Sequence, residues 1–387
     1  MARRSRHIAL SFFSCRFVDW SHMKRIAIFE YVGCQEDHGN IDYSSQTDDA
    51  IEDVSNELAK KQLLSEGDAM LLAYSQGLSK EYQSEVHACR HTSIGPIQFD
   101  SNTPLGRFNH DLIHWHWIER GASFLDVWQQ VAKICDMSVV VAPEIDGELL
   151  IATRFLRSHG IRLLNADDQF IAVASDKAMT ARIWRRSRIR QPWTSLRCNA
   201  LKNIDTDHPA SDHGRSAWIV KPRDGAGGSG IKKFKSLYSL LAWMDSNPMR
   251  ENQVLIQPWI EGISGSIAID FRENEHAIMM PARNQFLHES NEQLAARSAS
   301  GDAGREVPYK QLSYAGSGDP WPSDCQSVAE KFARRAIGAI PGVPLGWIGL
   351  DFVCDGSPLN IDSYIAIEIN PRLTSSYVTS FGFHDAT

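Results

Sequence analysis

The sequence predicts an α/β plus α+β protein, and two patterns support this. Over residues 23–165, apolar strands alternate with helical stretches, which is typical of a doubly wound, Rossmann-like parallel sheet. From residue 218 onward, short strands follow one another in hairpin-like pairs, with few helical stretches between them. At about 150 residues per domain, a chain of 387 residues suits two or three domains.

Composition excludes several classes of protein. Hydrophobic residues make up 43% of the chain, which is ample for a packed core. The net charge of −7 argues against nucleic acid or an anionic membrane as the main partner. No run approaches the ~18 apolar residues of a membrane span. Seven scattered cysteines without a C-x-x-C pair favour reduced thiols in a cytoplasmic protein over a disulfide framework or a zinc ribbon.

The elements of the first half follow from its apolar runs. Residues 1–22 have a basic start but no clean cleavage site, so our hypothesis is that they form an extension before a native start at Met23. The acidic stretch 42–53 is interpreted as a loop or insertion. Apolar runs predict strands at 24–32, 112–116, 138–142 and 161–164, and helices at 55–80 and 147–158.

The elements of the second half are shorter. Two helices are predicted at 235–246 and 326–339. The strand before the glycine-rich loop and the strand after it are expected to pair in antiparallel fashion. Apolar runs predict strands at 218–222, 231–234, 254–257, 266–271, 349–353 and 365–369.

The glycine-rich loop over 225–230 is a candidate phosphate site. Its letters match G-x-G-x-x-G, but a strand follows where a dinucleotide fold needs a helix. The P-loop spacing nearly fits, but Ile231 and Lys232 stand where Lys and Ser or Thr are required. Glycines let backbone N–H groups approach an anion, and Lys221 could reach the same anion from the strand end. A flexible hairpin with a solvated lysine stays the alternative.

Three oxygen-bearing side chains form the second candidate site. Glu368 and Asn370 share one face of a strand whose isoleucines 365, 367 and 369 take the other, and Asp351 lies in another apolar strand. This set suits Mg²⁺ or Mn²⁺, although an ion pair with Arg372 is an alternative. Arg372 is also a candidate clamp for charge on a transferring phosphoryl group. Arg283 is a second candidate, for which a surface role stays open.

Taken in their order along the chain, the motifs resemble those of the ATP-grasp superfamily. The resemblance spans about Lys177 to Tyr377. The resemblance implies that ATP lies between two lobes, with Lys177 and Lys221 on its phosphates. It also implies that Asp351, Glu368 and Asn370 bind the metal beside Arg372. By the same resemblance, the phosphate-covering loop would contribute Gly225, Gly227 and Gly228 to the ATP site. The hinge at the adenine edge would contribute Gln257, Trp259, Ile260 and Gly262.

Within the superfamily, the sequence is most similar to the tyramine–glutamate ligase group of methanofuran biosynthesis and its bacterial relatives. This implies a pre-ATP-grasp domain over 23–165, a small lobe over 166–255 and a large lobe over 256–387. The motifs that carry the resemblance are Phe29-Glu30-Tyr31-Val32, Ser65-Glu66-Gly67-Asp68-Ala69-Met70, Ala142-Pro143-Glu144-Ile145-Asp146-Gly147, Asn284-Gln285 and Ile369-Asn370-Pro371-Arg372-Leu373-Thr374-Ser375-Ser376-Tyr377.

The activity implied by this resemblance is amide formation from a small-molecule acid and an amine. ATP would phosphorylate the acid, and the amine would attack the resulting acylphosphate, with Mg²⁺ neutralising phosphate charge. Two alternatives stay open: a non-catalytic nucleotide-binding ATP-grasp protein, and an NAD-dependent dehydrogenase built on the glycine loop. The oligomeric state is also open, with a homodimer as one option.

Overall fold

A computed structural model describes residues 25–36, 50–97, 113–196, 217–225, 228, 230–247, 253–272, 277–290 and 309–380. The hypothesis about residues 1–22 lies outside the described residues, as do the predicted loop over 42–49 and the predicted phosphate contact of Gly227. In the described parts, no helix is both long enough and apolar enough to cross a bilayer. The five cysteines described there are free thiols.

The first sheet confirms the predicted doubly wound parallel architecture. Its four strands are parallel and lie in the order β3–β2–β1–β4. Alternate residues of β1 enter different clusters, with Phe29 packed on Trp128 and Ile28 in the cluster that holds Leu71. Both faces are therefore covered by helices. The strands are β1 Arg25–Glu30, β2 Glu85–His91, β3 Ile113–Ile118 and β4 Met137–Val141.

The helices of the first half largely follow the predictions. Helix α1 begins at Ala50, so the loop predicted over 50–53 is wrong. Strand β2 and helix α2 were not predicted. The helices are α1 Ala50–Tyr82, α2 Phe124–Lys133, α3 Glu148–Ser158, α4 Asp168–Ala174 and α5 Lys177–Arg186.

The strand predicted at 161–164 is reduced to a single bridge between Ser138 and Leu163. Asn165 ends the pairing, because its side chain takes the place of a backbone partner. Its Oδ1 accepts from Val140 N at 2.9 Å and its Nδ2 donates to Val140 O at 2.8 Å. The side-chain amide thus satisfies the edge of β4 where a longer strand would have done so.

The second sheet is antiparallel and has ten strands. Nine lie in the order β14–β13–β9–β11–β12–β7–β6–β8–β5, and β10 pairs with β9. The hairpin of β11 and β12, which was not predicted, joins the two halves of this sheet. The strands are β5 Ser195–Leu196, β6 Trp218–Pro222, β7 Ile231–Phe234, β8 Val254–Pro258, β9 Ile263–Phe271, β10 Ile278–Met279, β11 Arg283–Ser290, β12 Tyr309–Pro320, β13 Gly346–Cys354 and β14 Tyr364–Asn370.

In the described residues of the second half, the helices are α6 Leu237–Ser246, α7 Gln326–Gly338 and α8 Ser376–Ser380. Helix α6 follows the predicted 235–246, begins with a capping box at Ser236 and packs on β6 and β7. Helix α7 follows the predicted 326–339 and accepts a hydrogen bond from Trp184 of α5 at Ala336 O, at 2.9 Å. One hydrophobic cluster therefore runs from α3 and α4 to α7 and β13, which couples the two halves of the chain.

Candidate active site

A cavity opens between the parallel sheet and the antiparallel sheet. One end is lined by β6, β8, β13 and β14, and the other by the end of β1, by α1 and by the residues just after β4. The cavity contains most of the residues that the sequence predicts to be functional. Those that line it are Lys221, Gly228, Gln257, Trp259, Ile260, Asp351, Glu368, Asn370 and Arg372.

Two carboxylates face each other across neighbouring strands. Asp351 of β13 pairs in register with Glu368 of β14. A β-bulge follows at once, because Phe352 pairs with Ala366 and leaves Ile367 without an opposite residue. The expected alternation is therefore broken, and Ile367 lines the cavity too instead of lying on the opposite face.

The carboxyl group of Asp351 is held by two amides. Gln285 Nε2 of β11 donates to its Oδ1 at 2.7 Å, and Asn370 Nδ2 donates to its Oδ2 at 3.1 Å. Burial, and then the charge of Glu368, raise the pKa of Asp351 to about 7. A cation bound between the two acids would therefore favour the ionised pair.

Two lysines lie opposite the acids. Lys177, the first residue of α5, has its Nζ 3.7 Å from Glu368 Oε2 and donates to Gly225 O. Lys221 of β6 is only 2% exposed, and burial lowers its pKa to about 8 although Glu368 pulls in the other direction. The predicted ion pair between the acids and Arg372 is absent from the described contacts of these residues, and lysine takes that place.

The glycine loop and the hinge flank these charges. Gly228 has a φ of 73°, and a Cβ there would lie 3.0 Å from Tyr314 N, so the loop rests closely on β12. The Trp259 N–H donates to Ala217 O at 2.8 Å, so this backbone donor of the hinge is already paired. Gly262 does not line the cavity, because it packs against the Cys354 backbone.

The two predicted arginines lie in different surroundings. Arg372 lines the cavity, and its Nε lies 3.0 Å from Glu144 Oε1, in the turn after β4. Both side chains of this pair are largely buried. Arg283 lies in β11 outside the cavity lining and donates to Gly318 O at 3.4 Å, and burial lowers its pKa. Its described contacts do not bring it to the acids.

Three residues of the site were quoted in the family motifs without a role. They are Glu144, Gln285 and Glu30, and Gln285 and Glu30 line the cavity. A signal was available for Glu30, which ends the otherwise apolar run Ile26-Ala27-Ile28-Phe29 in the way that Glu368 interrupts β14. No comparable signal marks Glu144 or Gln285, because their partners are distant in sequence.

The donor set suits a magnesium ion whose remaining ligands come from phosphate oxygens and water. In the described parts of the chain, no group of three or more His, Cys, Asp and Glu residues is arranged to hold a metal. The set here is instead two carboxylates and an amide, with Asp351 destabilised as an anion by its surroundings. Magnesium commonly takes one or two carboxylates and completes its shell with phosphate oxygens and water.

Comparison with protein-family models finds two matches. Residues 174–376, more than half of the chain, match the model of an ATP-grasp domain, and residues 99–171 match that of a pre ATP-grasp 3 domain. The chain therefore belongs to the ATP-grasp family and carries a pre-ATP-grasp domain before the ATP-grasp domain. A comparison with curated proteins finds no match.

Similar solved structures support the same fold. An ATP-grasp superfamily protein from Archaeoglobus fulgidus has a TM-score of 0.55 at 19% identity, over 92% of this chain and 83% of that one. D-alanine–D-alanine ligase from Bacillus anthracis has a TM-score of 0.51 at 13% identity, over 91% and 88%. N5-carboxyaminoimidazole synthetase from Staphylococcus aureus, complexed with ADP, has 0.55 at 13%, over 91% and 71%.

Proposed function

We propose that this protein is an ATP-dependent carboxylate–amine ligase. The observation that carries the proposal is that Asp351, Glu368 and Lys221 line one cavity of an ATP-grasp domain, with Lys177 Nζ 3.7 Å from Glu368 Oε2. In the reaction, a substrate carboxylate oxygen attacks the γ-phosphorus of ATP and ADP leaves. An amine nitrogen then attacks the acyl carbon, phosphate leaves, and the amine loses a proton as the amide forms.

The acids and the lysines would divide the charges of ATP between them. Asp351, Glu368 and Asn370 would hold Mg²⁺ or Mn²⁺, and the metal would supply neutralisation of phosphate charge. Lys177 and Lys221 would hold phosphate oxygens from the opposite side. Because Lys177 also binds Gly225 O, it would draw the glycine loop over the phosphates and help to exclude water from the acylphosphate.

Two further groups would complete the site. Arg372, oriented by Glu144, would stabilise the negative charge on the phosphoryl group during its transfer. The Trp259 carbonyl oxygen and the Ile260 backbone would meet the adenine edge at the hinge, with Gln257 behind them. Lys233 lies 3.9 Å above the Trp259 ring and would help to hold the hinge in place.

The finer proposal concerns the substrates. The similarity to the tyramine–glutamate ligase group favours an amino acid as the acid and a small aryl or alkyl amine as its partner. The ligase names among the similar structures, which include a D-alanine–D-alanine ligase, agree with small-molecule substrates.

The decisive experiment measures substrate-dependent ADP release with Mg²⁺, screening amino acids against primary amines. We expect ADP only when acid, amine and ATP are all present, together with a new amide detected by mass spectrometry. Glu368→Ala should abolish turnover and keep the fold, while Glu119→Gln, an exposed acid after β3, should leave turnover unchanged. Full Mg²⁺-dependent ADP release by Glu368→Ala would contradict the metal assignment.

A further inference from the structure

The cavity continues beyond the nucleotide end into the first half of the chain. There its walls come from the end of β1, from α1 and from the residues after β4. Most of these walls are apolar, and two acids are set among them. The lining residues that matter are Val32, Leu63, Met70 and Pro143, with Glu30 and Glu66. We call this part of the cavity the Glu30 chamber.

Glu30 is buried deeply for a carboxylate and is firmly oriented. Glu30 is the last residue of β1, and only 3% of its surface is exposed. Oε1 accepts from Val32 N at 3.0 Å and Oε2 accepts from Gly33 N at 2.6 Å. Each carboxylate oxygen can accept a second hydrogen bond, so this arrangement fixes the group without using its full capacity.

The charges around Glu30 do not neutralise it. Arg90 of β2 is its cationic neighbour, but Arg90 forms a bidentate pair with Asp68 of α1, at 2.5 and 3.1 Å. Among the described residues, none forms an ion pair with Glu30 itself. The other titratable groups near it are Asp68 and Cys34, whose buried thiol has a raised pKa, and Glu66 of α1 lines the same cavity.

The absence of a side chain at Gly67 leaves room for the Glu30 carboxylate. Gly67 lies inside α1, where glycine is an unfavourable residue. A Cβ at position 67 would lie 2.6 Å from Glu30 Oε1 and 2.7 Å from Glu30 Cδ. The helix can therefore approach β1 only because this residue has no side chain, and the carboxyl group keeps its place in the chamber wall.

A fixed, unneutralised carboxylate between apolar walls selects a particular kind of ligand. A second anion is repelled, and a neutral apolar molecule leaves the carboxylate buried without a counter-ion. A cation with an apolar body satisfies both features. We infer that the Glu30 chamber binds the amine substrate, with its ammonium group on Glu30 and its body against Val32, Leu63 and Met70. This rests on the proposed ligase function for the amine's role as substrate.

One consequence is a dependence of amine binding on pH. Burial raises the pKa of Glu30 to about 7, and the nearby charge of Asp68 acts in the same direction. Alkyl ammonium groups stay protonated well above that pH. Amine affinity should therefore increase as pH rises through about 7, because Glu30 then carries its charge before the ligand arrives.

A binding experiment tests the inference without turnover. The probes are n-hexylamine and 1-hexanol, which match in size and differ in charge, and calorimetry measures both on the full chain. We expect the amine to bind about 10- to 100-fold more tightly than the alcohol, as for a hydrogen bond to a charged group. Glu30→Gln, which removes the charge and keeps one of the two oxygens that accept from the backbone N–H groups, should remove this difference. Equal affinities for the two probes in the unchanged protein would overturn the inference.

A matched control and a kinetic measurement separate this inference from the ligase proposal. Glu36→Gln alters an exposed acid that accepts from Gly121 N and should bind both probes as the unchanged protein does. With a substrate pair, Glu30→Gln should raise KM for the amine and leave KM for ATP unchanged. Charge-selective, Glu30-dependent binding without ADP release would reject the ligase and keep the chamber. Turnover with an unaltered amine KM in Glu30→Gln would keep the ligase proposal and reject the Glu30 chamber as the amine site.

Discussion

The two ends of the cavity handle charge in opposite ways. At the nucleotide end, acids and ammonium groups alternate, with Glu368 3.7 Å from Lys177 and with Lys221 buried beside them. In the Glu30 chamber, two acids are set among apolar walls, and one of them, Glu30, is held by backbone N–H groups. This contrast agrees with our proposals that the first end shares charge with a polyanion and that the second receives a single cation.

The difference follows from where the side chains originate. Most groups of the nucleotide end come from strands of one antiparallel sheet, and strand register sets the spacing of its two acids on the adjacent strands β13 and β14. The Glu30 chamber lies between β1, helix α1 and a loop, so packing between distant segments sets its shape. Substrate specificity can therefore change in the chamber while the nucleotide end stays the same.

The largest effect is expected at the nucleotide end. Lys221→Met removes a buried ammonium group while keeping a chain of similar length. We expect ADP release to fall about 100- to 1000-fold and ATP affinity to fall with it, because one of two phosphate cations is lost. Steady-state ADP release and ATP titration measure both. Lys310→Met, in an exposed lysine paired with Glu289, should match the unchanged protein. Normal turnover in Lys221→Met would remove this lysine from the site.

The next effect is on stability, and it comes from the Glu30 chamber. The pKa of Glu30 is about 7 in the fold against an ordinary value of 4.5, so the folded state holds the extra proton between these values. Stability should therefore fall as pH rises through this window, by about 3 kcal/mol at most, and the loss persists above it. Glu30→Gln has no such loss, so its advantage should grow between about pH 5 and about pH 8.

Denaturant unfolding at the two pH values measures this advantage directly. Asp351 also has a raised pKa, but it titrates in both proteins and cancels in the difference. Asp68 stays paired with Arg90 in both. An advantage of Glu30→Gln that is the same at both pH values would show that the carboxyl group is not desolvated in the way its burial indicates.

The sequence predicts the two ends unequally. Apolar runs locate β1, β4, β13 and β14, because buried strands require them. Strand alternation also places Glu368 and Asn370 on one face, although the bulge at Ile367 cannot be read from alternation. The resemblance supplies Lys177 and the hinge.

The parts that were missed depend on contacts between distant segments. Strands β11 and β12 carry polar and glycine residues in an exposed hairpin, so no apolar run marks them. The pairs Glu144–Arg372 and Gln285–Asp351 join residues far apart in sequence. The Glu30 chamber depends on the approach of α1 to β1 at Gly67, which only coordinates reveal.

The pair of Glu144 and Arg372 lies at the boundary between the two ends of the cavity. Glu144 belongs to the turn beside the chamber, and it orients Arg372, which belongs to the nucleotide end. Glu144→Gln should lower kcat about 10- to 50-fold, because breaking one partner of a buried pair leaves a charge uncompensated. ATP affinity, measured by titration, should change little. Asp355→Asn, which breaks the more exposed pair with Arg190, should leave kcat unchanged.

The smallest effect is expected at Gln285, behind the acid pair. Its Nε2 donates to Asp351 Oδ1, so it orients one carboxylate without contacting ATP. Gln285→Leu should raise the Mg²⁺ concentration for half-maximal ADP release about tenfold, as is common when a group supporting a metal ligand is lost. The maximal rate at saturating Mg²⁺ should stay nearly unchanged. Gln311→Leu, on the exposed side of β12, is the matched control. A lowered maximal rate with an unaltered Mg²⁺ requirement would indicate instead that Gln285 acts on the substrates, and the sharp division between the two ends would then not hold.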